Sequence, residues 1–277
     1  MNFDKAKAAF NGYLTDYDLN DAKVRLKIVH THQVILLCEF ISKALGLGNE
    51  DIELAKLIAL LHDIARFDQV KRFSHFVDAG ICDHADAGIK ILFETSRIRD
   101  FISDDCYDNI ILKAIWNHNK YEIEEGLDGK ELLHCKIIRD ADKLDNFRVK
   151  AEDDFEDIAS ITKRSLENGS ISDEVFIDFM ACRQIAAHKR KTDLDFWVSI
   201  IAFVFDINFA CSFEYIREKS YVNVLIDRIE YQNEEVQNKM EQIRKCATQH
   251  MARRLRASGL GAETSKGGES TCWNYTA

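Results

Sequence analysis

The chain runs for 277 residues without a single proline. Proline removes a backbone donor and clashes with the preceding helical turn, so its absence leaves helices free to run as far as their apolar faces extend. Glycine-rich turns are also few, and no segment alternates apolar and polar residues with hairpin turns between, so a sheet is not expected. From Asp21 to Leu45, apolar Val24, Ile28, Ile35, Phe40, Ile41 and Leu45 recur at helical spacing, and Gly46 and Gly48 stop the run. Asn49, Glu50 and Asp51 then suit a helix start by capping and by their charge at the helix dipole. Leu54, Leu57, Ile58 and Leu61 form the next apolar face and carry the chain to His62. Further helices are expected over 83–95, 105–118, 131–150, 173–190, 193–216 and 220–256. The fold class that follows is all-α, a single helical domain.

The ends and the bulk chemistry bound the function. The opening MNFDKAKAAF lacks a basic stretch followed by an apolar one, so secretion is not expected. The longest apolar run, Phe196 to Phe205, is about half of what a membrane helix needs and reads as a buried core helix. The cysteines are scattered with no CxxC pair, which suits reduced core thiols and a cytoplasmic setting. A formal net charge of -10 opposes general nucleic-acid or membrane-surface binding. A small phosphorylated substrate stays compatible, because bound cations reverse the local potential of a pocket. After Cys246 acidic residues nearly vanish, Arg253, Arg254 and Arg256 cluster, and the chain closes on a Gly/Ser/Thr-rich stretch. A disordered tail over 251–277 is expected there.

The residues with the most to say chemically are His62 and Asp63, adjacent at the end of an apolar helix in LIALLHDIARF. Two such groups at the close of a hydrophobic helix are costly unless something neutralises and coordinates them. His30 lies one helix earlier, and His84, His118 and Asp142 follow in CDHADAGIKIL, ILKAIWNHNKY and RDADKLDNFRV. Imidazole and carboxylate without thiolate suit Mn, Fe, Co, Ni or Zn in a working site better than a structural zinc cage. A carboxylate can bridge two cations, and paired cations can activate water while binding phosphoryl oxygens. His32 competes with His30, but the two face different sides of one helix. Asp140 and Asp145 compete with Asp142 and are expected on the surface or supporting a ligand. No glycine-rich phosphate loop, dinucleotide fingerprint or GxSxG elbow is present.

His30, then His62-Asp63, then Asp142, within the LLHDIAR, HADAGIKIL, WNHN and DADKLD elements, resembles the signature of the HD superfamily of metal-dependent phosphohydrolases. The resemblance covers about Asp21 to Arg148. It implies an HD-fold helical bundle over 1–250, with a core at about 21–150 and a helical extension over 151–250. It also implies a first metal held by His30, His62, Asp63 and Asp142, with Asp63 bridging to a second held by His84 and His118. One or two divalent transition ions are expected, and Mg is compatible. The spacing of His30 to Val34 matches the family's start and favours His30 over His32. Where several HD families carry HDxGK, this chain reads HDIAR, with Arg66 in place of lysine. Arginine is a good planar phosphate partner, whereas a lysine-dependent proton transfer is put in doubt.

The reaction expected on this resemblance is in-line attack of metal-activated water on a phosphate ester, a nucleotide or a related metabolite. Asp63 and Arg66 are the expected catalytic residues, with Asp145 assisting proton transfer. Arg66, Lys71, Arg72, His75, Lys143 and Arg148 are the candidate substrate contacts, Lys143 and Arg148 alternatively pairing with Asp140 and Asp145. Trp116, Tyr121 and Phe147 can stack a ring but more often pack a core. Other functions share these ligands. HD-fold proteins resembling myo-inositol oxygenase hold two irons with the same residue types, and a non-catalytic nucleotide-binding regulator is the third reading. An oligomer is compatible with all of them.

Overall fold

The computed structural model describes residues 1–74, 76, 83–153, 155 and 161–259. Among them the regular structure is helical, without a strand. Helix α1 (Phe3–Leu14), which the apolar pattern does not single out, is capped by Asn2 and buries Ala6, Phe10, Tyr13 and Leu14. Helix α2 (Ala22–Ala44) starts where the Asp21 carboxylate accepts from the amides of Lys23 and Val24. It stops at Gly46, whose φ of 69° lies in the left-handed region that glycine enters without a Cβ clash. Helices α3 (Asn49–Leu61) and α4 (Ile64–Phe73) follow, separated by His62 and Asp63. Then come α5 (His84–Ile89), which runs into a π turn over Lys90–Glu94, the short α6 (Ile98–Phe101), and α7 (Asp108–Asn117). Helix α8 (Gly129–Glu152) opens on a capping box in which Asp128 and Glu131 each accept from the other's backbone amide.

Helix α2 lies against both α3 and α8, and α8 also packs on α7, so α8 is central to this half. Val34, Cys38 and Ile41 of α2 meet Leu54, Leu57, Ile58 and Leu61 of α3 in a core that excludes solvent. Each such side chain contributes about 1.5–3 kcal/mol by leaving water, which makes the helices a firm support for the polar groups among them. Phe40 and Leu45, expected on the apolar face of α2, stand at its exposed margin.

The second half contains α9 (Lys163–Glu167), α10 (Asp173–Met180), α11 (Asp193–Ile201) with a 3-10 turn over Ala202–Phe205, α12 (Ala210–Glu218), α13 (Tyr221–Asp227) and α14 (Glu234–Ala257). These are shorter than the expected stretches, for reasons that pattern does not carry. The helix expected over 173–190 ends at Met180, two residues before Cys182 turns left-handed at φ 55°. The stretch expected over 193–216 breaks at Asp206 to Phe209. There the Asp206 carboxylate meets Arg139 and Lys143, and the amides of Asn208 and Phe209 donate to the carboxylate of Asp140. The stretch over 220–256 divides between α13 and α14. The tail expected from 251 begins too early: Met251 and Leu255 extend the buried stripe of Val236, Met240, Ile243 and Ala247, so the helix continues to Ala257. The remainder of that expected tail, 260–277, lies outside the described residues. No described helix is long and apolar enough to cross a membrane.

Candidate metal centre

Six side chains from five places in the chain meet between the helices. His30 comes from the middle of α2. His62 is the C-terminal cap of α3, and Asp63 holds the break before α4 at φ -109° and ψ 19°. His84 is the first residue of α5, His118 the cap of α7, and Asp142 lies midway along α8. The four histidines and Asp63 are buried, while the Asp142 side chain keeps 19% of its surface open to solvent.

The distances divide the six into two groups that share Asp63. One carboxylate oxygen, Oδ2, stands 3.5 Å from Nε2 of His30 and 3.5 Å from Nε2 of His62. Asp142 Oδ1 completes that group, 3.2 Å from His30 and 3.9 Å from His62. The other oxygen, Oδ1, stands 3.4 Å from Nε2 of His84 and 3.8 Å from Nε2 of His118. Donor atoms bound to one ion at about 2.0–2.2 Å stand roughly 3.0–3.4 Å apart, so both groups are near the spacing that one ion each requires. His30, His62 and Asp63 form one candidate metal group, and Asp63, His84 and His118 the other.

Proton positions fit the same reading. His62 Nδ1 lies 2.7 Å from the carbonyl of Ala59, and His118 Nδ1 lies 2.6 Å from the carbonyl of Ile115. A carbonyl oxygen only accepts, so both Nδ1 atoms carry the proton and both Nε2 lone pairs point inward. His30 Nδ1 likewise donates to Asp145 Oδ2 at 2.7 Å. That leaves Nε2 of His30 and of His62 facing each other at 3.3 Å, an arrangement that calls for a cation or a proton between them. Burial keeps His62 and His118 neutral, pushing His118 down to about 3 with help from the neighbouring imidazoles. Burial and the Lys27 charge also oppose a charged His30, but bonds to Asp142 and Asp145 outweigh them and raise its pKa. Burial opposes the Asp63 charge as well, yet the Lys27 ammonium above all holds its carboxyl well below the usual range. His84 is supported differently, with Asn119 Nδ2 lying 3.3 Å from its Nδ1 while also donating to Asp83.

The other expected residues are placed unevenly. Arg66 is at the centre, its Nε 3.7 Å from Asp63 Oδ1, and it donates to Gln69 and to the carbonyl of Phe76. Asp145 is fully buried between His30 and Arg148, which donates to it at 2.6 Å. It is therefore not a loose proton carrier but the acceptor that orients His30, and Arg148 reaches the centre only through it. Lys71 donates to the carbonyl of Asp16, and Arg72 stands out in solvent near Asp68. Lys143 is buried against Asp206, 2.7 Å away, rather than against Asp140. Asp140 is not a surface residue: it is buried, accepts the Asn208 and Phe209 amides, and is pushed up to about 6 by that burial. His32 lies outside both groups. Phe147 is core, stacked on Tyr221; Trp116 lies under Lys120, and the Tyr121 hydroxyl donates to the carbonyl of Gln184. His75 lies outside the described residues.

Sequence reasoning does not reach two lysines at the centre. Lys27 Nζ lies 2.5 Å from Asp63 Oδ2, and Lys150 sits two turns beyond Asp142 on α8. Their positions are readable, since Lys27 precedes His30 by three residues and Lys150 follows Asp142 by eight, both spacings that keep one helix face. Nothing in the residue type separates them from the other lysines.

The Asp145 contact carries a prediction. Asp145→Asn keeps the shape but loses the carboxylate that fixes the His30 tautomer, so divalent-metal affinity is expected to fall about 10–100-fold. Titration of chelator-treated protein with Mn reads this directly, and unchanged affinity would remove Asp145 from any part in holding the site.

Residues 28–146 match the family model of the HD domain. No match was found among curated proteins or among solved structures.

Proposed function

The chain carries an HD domain, and from that premise we propose that it is a two-metal phosphohydrolase acting on a small phosphate ester, a nucleotide or a related metabolite. The observation that supports this best is the division of Asp63, with Oδ2 toward His30 and His62 and Oδ1 toward His84 and His118. His30, His62, Asp63 and Asp142 would hold one ion, and Asp63, His84 and His118 the other. Bound there, divalent ions supply a water-derived nucleophile at neutral pH and positive charge for the phosphoryl oxygens.

The protein's own groups do the remaining work. Ala59, Ile115 and Asp145 keep the imidazole lone pairs aimed inward, so the donors are set before anything binds. Arg66, beside Asp63 Oδ1, is placed to receive a phosphoryl oxygen and to balance charge as the transition state forms. The open edge at Asp142 gives the substrate an approach.

The test is phosphate release across a panel of nucleotides and small phosphate esters, without oxygen, using protein loaded with Mn, Co or Ni. Turnover that vanishes with chelator and returns with metal is expected. Turnover that survives alanine at both His62 and Asp63 would eliminate this centre as its source.

A further inference from the structure

Helices α2 and α8 bring a second set of charged groups beside the ligands. Lys27 lies one turn before His30 on α2. On α8, Asp142, Asn146 and Lys150 follow at intervals of four and share one face. Asn146 stands between the other two, donating to Asp142 Oδ1 at 3.0 Å and accepting from Lys150 Nζ at 2.9 Å. The Lys150 ammonium is thus one amide group away from the ligand cluster.

Lys150 is about nine-tenths buried, and Asn146 is the one hydrogen-bond partner of its ammonium among the described residues. No carboxylate comes within 4.0 Å of it there, although Asp142, Asp145 and Asp153 are near enough to favour its charge. Lys143, two turns earlier on the same side of α8, shows the usual solution for a buried lysine, an ion pair with Asp206 at 2.7 Å. Burial and the Lys27 charge push Lys150 down to about 8. An ammonium held out of water, with no carboxylate paired to it among the described residues and with a second lysine opposing its charge, is an expensive arrangement unless an anion enters. Charge at the centre points the same way. Asp63 and Asp145 already have cationic neighbours in Lys27, Arg66 and Arg148, and each divalent ion would add two further positive charges.

Resting on the phosphohydrolase reading above, we infer that Lys150 is a specificity residue that binds a second phosphoryl group of the substrate, next to the one at the metal centre. Asn146 sets the distance. It separates Lys150 from Asp142, so the ammonium addresses the neighbouring phosphoryl group rather than the oxygens that face the ligands. The substrate class is therefore a compound with two or more linked phosphoryl groups, and a lone monophosphate leaves the lysine uncompensated. Lys27 is near enough to oppose the Lys150 charge but touches Asp63, so it cannot be varied without disturbing the ligands.

The experiment compares two non-hydrolysable probes, methylenediphosphonate and methylphosphonate, on Mn-loaded protein at fixed free Mn. Wild type is expected to bind the diphosphonate about tenfold more tightly, as a charge-assisted contact supplies. In Lys150→Met, a substitution of similar length, the two probes are expected to bind alike, with methylphosphonate affinity and metal content unchanged. A variant that keeps the preference, or a wild type that never shows it, overturns the inference while both proteins hold their ions. Failure to take up metal in either protein instead overturns the phosphohydrolase reading. A second measurement needs no metal: in anion-free buffer the variant is expected to melt about 2–5 °C higher, because a buried charge without a partner is gone. A lower melting temperature would mean that the ammonium already has its counterpart in the fold, and the inference would fall.

Discussion

Asp63→Ala is expected to lose both metal ions at once and to lower phosphate release by about 10³-fold or more. The size of the effect follows from sharing. A histidine of either group faces one candidate ion, whereas the two oxygens of Asp63 face one group each. Asp63→Asn separates the two contributions, because a carboxamide keeps one oxygen and replaces the other with a nitrogen that only donates. It is expected to keep at most one ion per chain, with His84→Ala as the matching single-group control. Metal analysis after dialysis against Mn, alongside the phosphate assay, reads both quantities on one sample. The alanine variant also removes the carboxylate next to Lys27, so its near-ultraviolet dichroism should be checked against wild type before the loss is assigned to ligation. Two ions per chain in a well-folded Asp63→Ala protein would contradict the shared arrangement.

Arg139→Met is expected to cost about 3–5 kcal/mol, the range for breaking a buried charged network by removing one member. Arg139 is fully buried at the middle of α8. Its guanidinium donates to Asp206 through Nε at 3.1 Å and Nη2 at 2.5 Å. Nη1 donates to the carbonyls of Asn117 and Lys120 at 2.7 Å and 2.6 Å. Those carbonyls flank His118, and Asp206 lies where the chain breaks between α11 and α12. One side chain therefore ties the second metal group to the C-terminal half of the fold. Removing it leaves buried carbonyls without donors, although Asp206 keeps Lys143 and so retains a counter-charge. A single domain is stable by only about 5–15 kcal/mol, so the melting temperature should drop by roughly 10 °C. Arg139→Lys keeps the charge but not the planar fork of donors, and its melting temperature should fall between those of wild type and Arg139→Met. A melting temperature of Arg139→Met within about 2 °C of wild type would show that the network is not a clamp.

The candidate ligands were legible because they depend on residue type and order along the chain. His62-Asp63 at the close of an apolar helix, with His30 before and Asp142 after, is a local pattern. Its chemistry is the same whatever the packing. The helical class was legible for a like reason, since a chain without proline whose apolar residues recur every three or four positions has little else to form. The breaks at Asp206 and Cys182 were not, because an apolar run records burial and not where a distant arginine will claim a carboxylate. Asp140 and Asp145 show the limit plainly. Both stand in one RDADKLD segment of the same helix, yet one accepts the amides ahead of α12 and the other orients His30.

From the amino-acid order alone come the all-helical class, the six ligand candidates and the kind of ion they suit. Folding decided how those six divide, which oxygen of Asp63 faces which group, and which lysines lie beside them. It also separated Lys143, neutralised by the distant Asp206, from Lys150, which has no such partner among the described residues. The physical reason is range: periodicity and side-chain chemistry are properties of neighbours in sequence. Charge compensation and the placing of a lone pair are properties of neighbours in space.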